Sequence, residues 1–145
     1  MLLKMKPIVV TKVINTSIDK VWEAITTHSL MLEWFFDNIP AFEPIVGFTT
    51  EFNVQSEERN FLHVWKVVSV VEKEKIVCEW KYPEYVDESL LVTFEVKYLS
   101  EEKTQFSVIA LGIEHFSNTN ISQFTRESCK GGWEYFSNQL QQFLL

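Results

Sequence analysis

Five strand-like runs follow one another through the middle of the chain, at residues 48–55, 61–72, 75–82, 89–99 and 104–113. The connections between several of them are short and charged, for example at residues 57–60. Short turns join antiparallel neighbours, whereas a parallel pair needs a crossover of roughly a dozen residues or more. The spacing therefore predicts an antiparallel meander.

The run at residues 89–99 indicates how this sheet is covered. Apolar side chains alternate with polar ones along it, and the apolar set is Leu90, Val92, Phe94, Val96 and Tyr98. Successive side chains of a strand point to opposite faces, so this alternation is typical of a sheet with one buried face and one solvated face. Another element is expected to cover one side of the sheet.

A strand and two helices are predicted before the meander. Residues 8–15 are a β-branched run, and Thr16 or Ser17 can cap the helix that follows. Helical spacing is carried by Ile18, Val21, Trp22 and Ile25. Ser29 offers a cap for a short second helix, and the prolines and glycine in residues 37–47 predict an irregular connection.

The last segment is the predicted covering helix. Asn120 with Gln123 matches a capping box, and helical propensity continues to Leu145 except at Gly131 and Gly132. The arc expected to face the sheet holds Cys129, Trp133, Phe136, Leu140, Phe143 and Leu144. The arc expected to face solvent holds Arg126, Lys130, Glu134, Ser137 and Gln141.

Length and charge limit the classes of function. With 145 residues and 46% hydrophobic content, the chain is expected to be one α+β domain over residues 1–145. A net charge of -7 repels phosphate, which argues against nucleic-acid and membrane partners. No run approaches the roughly 20 apolar residues that cross a bilayer, and residues 1–7 lack a signal-peptide pattern. We therefore expect a cytoplasmic protein.

The chemistry-bearing residues are sparse. Cys78 and Cys129 are too few for a disulfide framework, and the three histidines lack metal-ligand spacing, so neither a metal nor a cofactor is expected. Cys129 has no identifiable base beside it, and a buried thiol is favoured over a nucleophile. His63 shares strand parity with Phe61 and Trp65, which makes it a structural histidine or a pocket contact. No catalytic residue is assigned.

The inward arc of the last helix changes in size along its length. Its first half presents Ser122, Thr125, Cys129 and Gly132, whereas bulky residues follow from Trp133 onward. Protein interiors pack at crystal-like density, so small residues leave space unless large ones lie opposite. Two interpretations stay open. Either a ligand cavity lies near the start of this helix, or Trp65, Trp80 and Phe94 fill the volume.

In the first interpretation the cavity takes an apolar ligand. Ser122 and Thr125 would supply hydrogen bonds, and Trp34, Phe35 and residues 37–47 would form a movable mouth. The full set of predicted ligand-binding residues is Trp34, Phe35, His63, Trp65, Trp80, Phe94, Ser122, Thr125 and Cys129.

Three local signatures resemble a known family. Residues 21–25 (VWEAI), residues 32–35 (LEWF), and Gly132-Trp133 with Leu140 are similar to the homologues of the heat-shock protein 90 ATPase activator C-terminal domain, in the START-like or SRPBCC superfamily. The resemblance covers essentially the whole chain. It implies the helix-grip (START-like, Bet v-like) fold, a curved six-stranded antiparallel sheet around a long C-terminal helix in the order β-α-α-β-β-β-β-β-α, with a hydrophobic cavity between them. Gly47 stands alone where relatives often carry two glycines, so turn geometry is expected to differ there.

Three hypotheses for the function follow. The first is a binding protein for a hydrophobic or aromatic small molecule, including lipids. The second is a cyclase- or dehydratase-like enzyme that uses the same cavity, with His63 or Tyr82 moving protons. The third is a protein-interaction module that assists a chaperone, as the resemblance implies. The sequence leaves open whether the chain is a monomer or a homodimer.

Overall fold

The computed structural model describes residues 4–145 and contains one open, six-stranded antiparallel sheet. Its strands are β1 (Ile8–Ile14), β2 (Thr49–Ser56), β3 (Arg59–Val71), β4 (Lys75–Lys81), β5 (Ser89–Ser100) and β6 (Lys103–Leu111). They lie in the order β1-β6-β5-β4-β3-β2, and every neighbouring pair is antiparallel. The predicted α+β class and the meander are confirmed.

Three α-helices accompany the sheet in the described part of the chain. They are α1 (Ile18–Thr26), α2 (His28–Trp34) and α3 (Arg126–Phe143). Two 3₁₀ helices, Ile113–Thr119 and Ser122–Phe124, connect β6 to α3. The sequence pattern predicted that the last helix begins within this connection. It did not predict the two 3₁₀ helices.

A side-chain cap starts α1, and a single extended residue separates it from α2. The Ser17 hydroxyl accepts a hydrogen bond from the Lys20 backbone N–H at 3.3 Å, which satisfies one free donor at the start of α1. Thr27 has extended backbone angles, ends α1 and directly precedes α2, so α2 begins at His28. The prediction that Ser29 caps α2 is wrong, since the break lies two residues earlier.

The start of α3 also differs from the prediction. Asn120 lies in the left-handed region with φ of 55°, whereas an N-cap residue normally has extended angles. Thr125 is extended, and its Oγ1 accepts the Ser128 backbone N–H at 3.1 Å. Asn120 therefore closes the first 3₁₀ helix, and Thr125 caps α3. The predicted capping box of Asn120 and Gln123 is wrong.

A polar cluster holds the first turn of α3. The Arg126 guanidinium donates to the Glu114 carboxylate and to the Lys6 carbonyl, both at 2.7 Å. The same carboxylate oxygen accepts the Lys6 backbone N–H at 3.0 Å. These bonds join three segments that are distant in sequence, and they place the N-terminus of α3 against the chain entering β1.

The buried arc of α3 is rotated from its predicted position. Ser137, expected to face solvent, is 1% exposed, whereas Phe143, expected to face the sheet, is 36% exposed. The most buried positions of the helix are Trp133, Ser137 and Leu140. Since α3 packs against β1, the docking angle rather than the apolar pattern alone decides which residues are covered.

The strand alternation predicts the sheet's two faces well. Leu90, Val92, Phe94 and Val96 are all buried on the covered face of β5. Tyr98 is 61% exposed, and the β5–β6 register shifts between Tyr98 and Ser100. The alternation therefore holds along the body of the strand and ends where the hairpin becomes irregular.

Candidate functional site

A cavity of about 250 Å³ lies between the sheet and the first turns of α3. The sheet side supplies Val54, Ser56, Phe61, His63, Trp80 and Tyr82. The helix side supplies Ser128, Cys129, Gly132, Trp133 and Phe136. Phe36, Leu90, Ile113, Gln123 and Phe124 complete the wall. The space is largely apolar and aromatic, with polar groups at a few positions.

The cavity opens between α3 and the edge strand β2. Ser128 and Gly132 are exposed although they line the cavity, and Val54 and Ser56 opposite them are half-buried. The Gln123 amide nitrogen lies 3.5 Å from both the carbonyl oxygen and the hydroxyl of Ser56. These long contacts bridge one side of the opening, so Gln123 is positioned to restrict entry.

Aromatic rings close the inner end. Trp65 and Trp80 stack with their ring centroids 4.7 Å apart, and Phe35 stacks on Trp65 at 5.5 Å. Behind them lies a second space of about 10 Å³, lined in part by Phe35, Trp65 and Phe94. Trp80 borders both spaces. The aromatic residues thus fill the deep part of the predicted volume and leave the outer part open.

The predicted ligand-binding residues fall into three places. His63, Trp80 and Cys129 line the larger cavity. The remaining buried aromatic residues of the predicted set lie behind its inner wall: Trp34, Phe35, Trp65 and Phe94. Among them, Trp34 Nε1 donates to the Ala24 carbonyl at 2.8 Å, so this side chain joins α2 to α1 and does not border a mouth.

Ser122 and Thr125 lie outside the cavity. Both border an outer groove that also includes Glu114 and Arg126. The Thr125 hydroxyl donates to the Ser122 carbonyl at 3.0 Å and accepts the Ser128 N–H. Their predicted inward position assumed that α3 begins near Asn120. Because α3 starts at Arg126, both residues precede it. The Thr125 hydroxyl caps the helix, whereas the Ser122 hydroxyl donates to the Gln123 side chain at 3.2 Å.

His63 is the most polar ring in the cavity wall. Its Nδ1 donates to the Phe61 carbonyl oxygen at 3.0 Å, since a carbonyl can only accept. Phe52 stacks on the imidazole at 5.2 Å, and Tyr82 meets it edge-on at 4.7 Å. Burial lowers the pKa of His63 to about 4, and the bond to Phe61 opposes this shift. The ring is therefore neutral at pH 7, with Nε2 as a free acceptor.

Tyr82 and Cys129 are the other ionisable residues of the wall. Burial raises the pKa of the Tyr82 phenol, and the nearby Cys129 adds to the shift. Burial also raises the pKa of the Cys129 thiol to about 11, against opposing effects of Trp133 and Arg126. Both groups are protonated at neutral pH, so the cavity holds no thiolate or phenolate nucleophile.

Several lining residues were not predicted to bind ligand. Phe61 and Tyr82 share the strand parity of His63 and Trp80, and that alternation is the signal that could have identified them. Phe36 follows closely after the last residue of α2, and Gln123 lies in a 3₁₀ helix. These irregular segments have no sequence period, so their side-chain directions follow only from the tertiary structure.

Two further features bear on the class of protein. Within residues 4–145, no three His, Cys, Asp or Glu side chains come together as a metal site would require. In the same part of the chain, no helix combines the length and apolar character needed to span a bilayer.

The fold is shared with solved structures. Protein MLL2253 from Mesorhizobium loti is 22% identical, with a TM-score of 0.71 over 96% of both chains. BH1534 from Bacillus halodurans is 22% identical, with a TM-score of 0.73 over 97% of both chains. The Aha1 dimer from Colwellia psychrerythraea is 18% identical, with a TM-score of 0.71 over 96% of both chains. At this identity the likeness concerns the fold alone.

Sequence comparison defines the family. Among curated proteins, no match to this chain is found. Residues 15–144 match the family described as Activator of Hsp90 ATPase homolog 1-like protein, which covers nearly the whole chain and confirms the resemblance seen in its motifs. The chain therefore belongs to the family of Activator of Hsp90 ATPase homolog 1-like proteins.

Proposed function

We propose that this protein binds an apolar or aromatic small molecule in the cavity between α3 and the sheet. The observation that carries the proposal is the cavity itself, about 250 Å³ with a largely aromatic wall and an opening to solvent. A concave site with a mostly apolar and aromatic wall and a few polar groups is the usual form of a small-molecule binding site.

Binding is better supported than catalysis. A general base works best when its pKa lies near the working pH, whereas His63 has a pKa of about 4. Tyr82 and Cys129 are held protonated by burial. The wall therefore offers hydrogen bonds and aromatic contact, without a group poised to move protons at pH 7.

The proposal also includes where and how the protein acts. We place the ligand site in a single domain over residues 1–145 of a cytoplasmic protein. Its net charge of -7 favours solubility. A fold relative was solved as a dimer, which supports self-association as a candidate assembly. A chaperone partner, suggested by the family's description, would use surface outside this cavity.

The decisive variant is Gly132→Phe. Gly132 lines the cavity and is exposed at its opening, and a Cβ added there meets nothing within 4 Å, so a side chain can be added without a clash at its Cβ. Gly131→Phe is the matched control, because its Cβ is equally free and Gly131 does not line the cavity. Both changes remove a glycine from the same helix.

Two measurements apply to these proteins. Native mass spectrometry of freshly purified protein reveals a co-purifying molecule and the mass of the assembly. Titration with N-phenyl-1-naphthylamine, an uncharged fluorescent probe, measures the capacity of the cavity. We expect Gly132→Phe to reduce binding at least tenfold and Gly131→Phe to retain it. Equal binding by both variants, or no binding by the unmodified protein, would contradict the proposal.

A further inference from the structure

The wall of the cavity is uncharged. In the described chain, its lining contains no aspartate, glutamate, lysine or arginine, although charged residues make up 23% of the sequence. Its ionisable members are His63, Tyr82 and Cys129, and all three are neutral at pH 7. An ionic group carried into this space would lose part of its hydration and would meet no opposite charge in the wall, which is unfavourable.

Two neighbouring rings of the wall, His63 and Tyr82, offer polar atoms to a ligand. The Nδ1 of His63 is committed to the Phe61 carbonyl, which leaves Nε2 as an acceptor. Among residues 4–145, the Tyr82 hydroxyl has no hydrogen-bond partner, although Tyr82 is buried. The two rings lie 4.7 Å apart, edge to face. Two neighbouring rings of the largely apolar wall thus carry an acceptor, His63 Nε2, and a donor, the Tyr82 hydroxyl.

From this juxtaposition we infer that the ligand is an uncharged molecule carrying a hydroxyl group, which donates to His63 Nε2 and accepts from the Tyr82 hydroxyl. The inference rests on the proposed binding function and adds the chemical class of the ligand. A hydroxyl is the smallest uncharged substituent that can donate to one of these atoms and accept from the other. A hydrocarbon would leave them unpaired, and a carboxylate would place a charge against the lone pair of Nε2.

Three probes of similar size separate these cases: 2-naphthol, 2-methylnaphthalene and 2-naphthoate. Each is titrated at pH 7 and followed by intrinsic tryptophan fluorescence, since Trp80 and Trp133 line the cavity. We expect 2-naphthol to bind at least tenfold more tightly than either of the others. Tighter or equal binding of 2-naphthoate would overturn the inference.

The assignment to individual residues is tested with Tyr82→Phe and His63→Phe. Tyr82→Phe removes a single oxygen and keeps the ring that packs on His63. Both variants are expected to lower the affinity for 2-naphthol relative to that for 2-methylnaphthalene by severalfold to tenfold. If His63→Phe fails to fold, Tyr82→Phe alone decides the question.

The outcomes distinguish the two proposals. If none of the three probes binds, and if Gly132→Phe does not change the binding of N-phenyl-1-naphthylamine, the cavity is not a binding site and the proposed function fails. If 2-methylnaphthalene and 2-naphthol bind equally, or if Tyr82→Phe weakens both alike, the cavity binds ligands but does not select a hydroxyl. In that case only the further inference is overturned.

Discussion

The Trp34 indole nitrogen donates to the Ala24 carbonyl at 2.8 Å, and this bond joins α2 to α1. Trp65 is as buried as Trp34, with 2% exposure for each, yet in the described chain the nitrogen of Trp65 has no partner. The two residues therefore provide a matched test of what one buried hydrogen bond contributes in this protein.

Replacing each indole by phenylalanine should reveal that difference. Trp34→Phe removes a made bond and leaves the Ala24 carbonyl without this donor, whereas Trp65→Phe removes a donor that was already unpaired. Both lose similar packing, so we expect Trp34→Phe to lower the free energy of unfolding by about 1 kcal/mol more. Urea denaturation of both variants measures this difference, and equal losses would show that the bond contributes nothing.

The stability of the protein should depend on pH through His63. Its pKa is lowered from 6.5 to about 4 in the folded state, so between these values the unfolded chain binds more protons. The contribution of His63 to stability is therefore fully present above about pH 6.5 and is lost as the pH drops toward 4. Between pH 7 and pH 5 this loss lowers the free energy of unfolding by about 2 kcal/mol. Tyr82, the titratable ring facing His63, stays protonated throughout this range.

A variant that cannot titrate isolates this contribution. His63→Gln is less stable overall, yet its denaturation midpoints at pH 5 and pH 7 should differ by less than those of the unmodified protein. Carboxylates contribute equally to both proteins and cancel in the comparison. An identical pH dependence would mean that His63 is not the group responsible.

Ser137→Ala should stabilise the protein. Ser137 is 1% exposed and its hydroxyl has no partner within residues 4–145, so folding removes that hydroxyl from water without compensation. Alanine is also the better helix former. We expect a gain of about 1 kcal/mol, seen as a higher midpoint in thermal unfolding. Asn138 is exposed, so Asn138→Ala is a control that measures the effect of helix propensity alone. If both variants gain the same stability, the buried hydroxyl of Ser137 has no cost.

Glycines in two settings should respond oppositely to alanine. Gly131 lies inside α3, where a Cβ would meet only open space, so Gly131→Ala should add about 1 kcal/mol. Gly112 has φ of 111°, and a Cβ there would lie 3.0 Å from the Ser89 carbonyl oxygen. Gly112→Ala should therefore destabilise by about 1 kcal/mol or more. Chemical denaturation measures the change in the free energy of unfolding for each variant. Changes of the same sign in both variants would contradict this account.

The two thiols should differ in accessibility although both react slowly. Burial raises the pKa of Cys78 to about 12 and that of Cys129 to about 11. Cys129 is half-buried and lines the cavity, whereas Cys78 is buried within the sheet. N-ethylmaleimide at pH 8 should thus label Cys129 first, and 2-naphthol should slow that labelling. Mass spectrometry of peptides identifies the site, and faster labelling of Cys78 would contradict the placement.

The sequence by itself determined the sheet. The alternation of Leu90, Val92 and Phe94 predicts buried positions because a strand has a period of two whatever lies around it. The same parity placed His63 and Trp80 toward the interior, where they line the cavity. Thr16 or Ser17 was predicted to cap α1, and Ser17 makes the bond to Lys20, which is local. Each of these features depends on neighbours within a few residues.

Only the tertiary structure decided the positions of Ser122, Thr125 and Ser137. The bonds of Arg126 to Glu114 and Lys6 hold the N-terminus of α3 in its place, and no local pattern encodes them. The buried arc of α3 depends on its docking against β1, and this rotation covers Ser137. The cavity is the space left between side chains that come from separate elements of the fold. Its size depends on how closely these elements pack together, and residue spacing along the chain does not determine that packing.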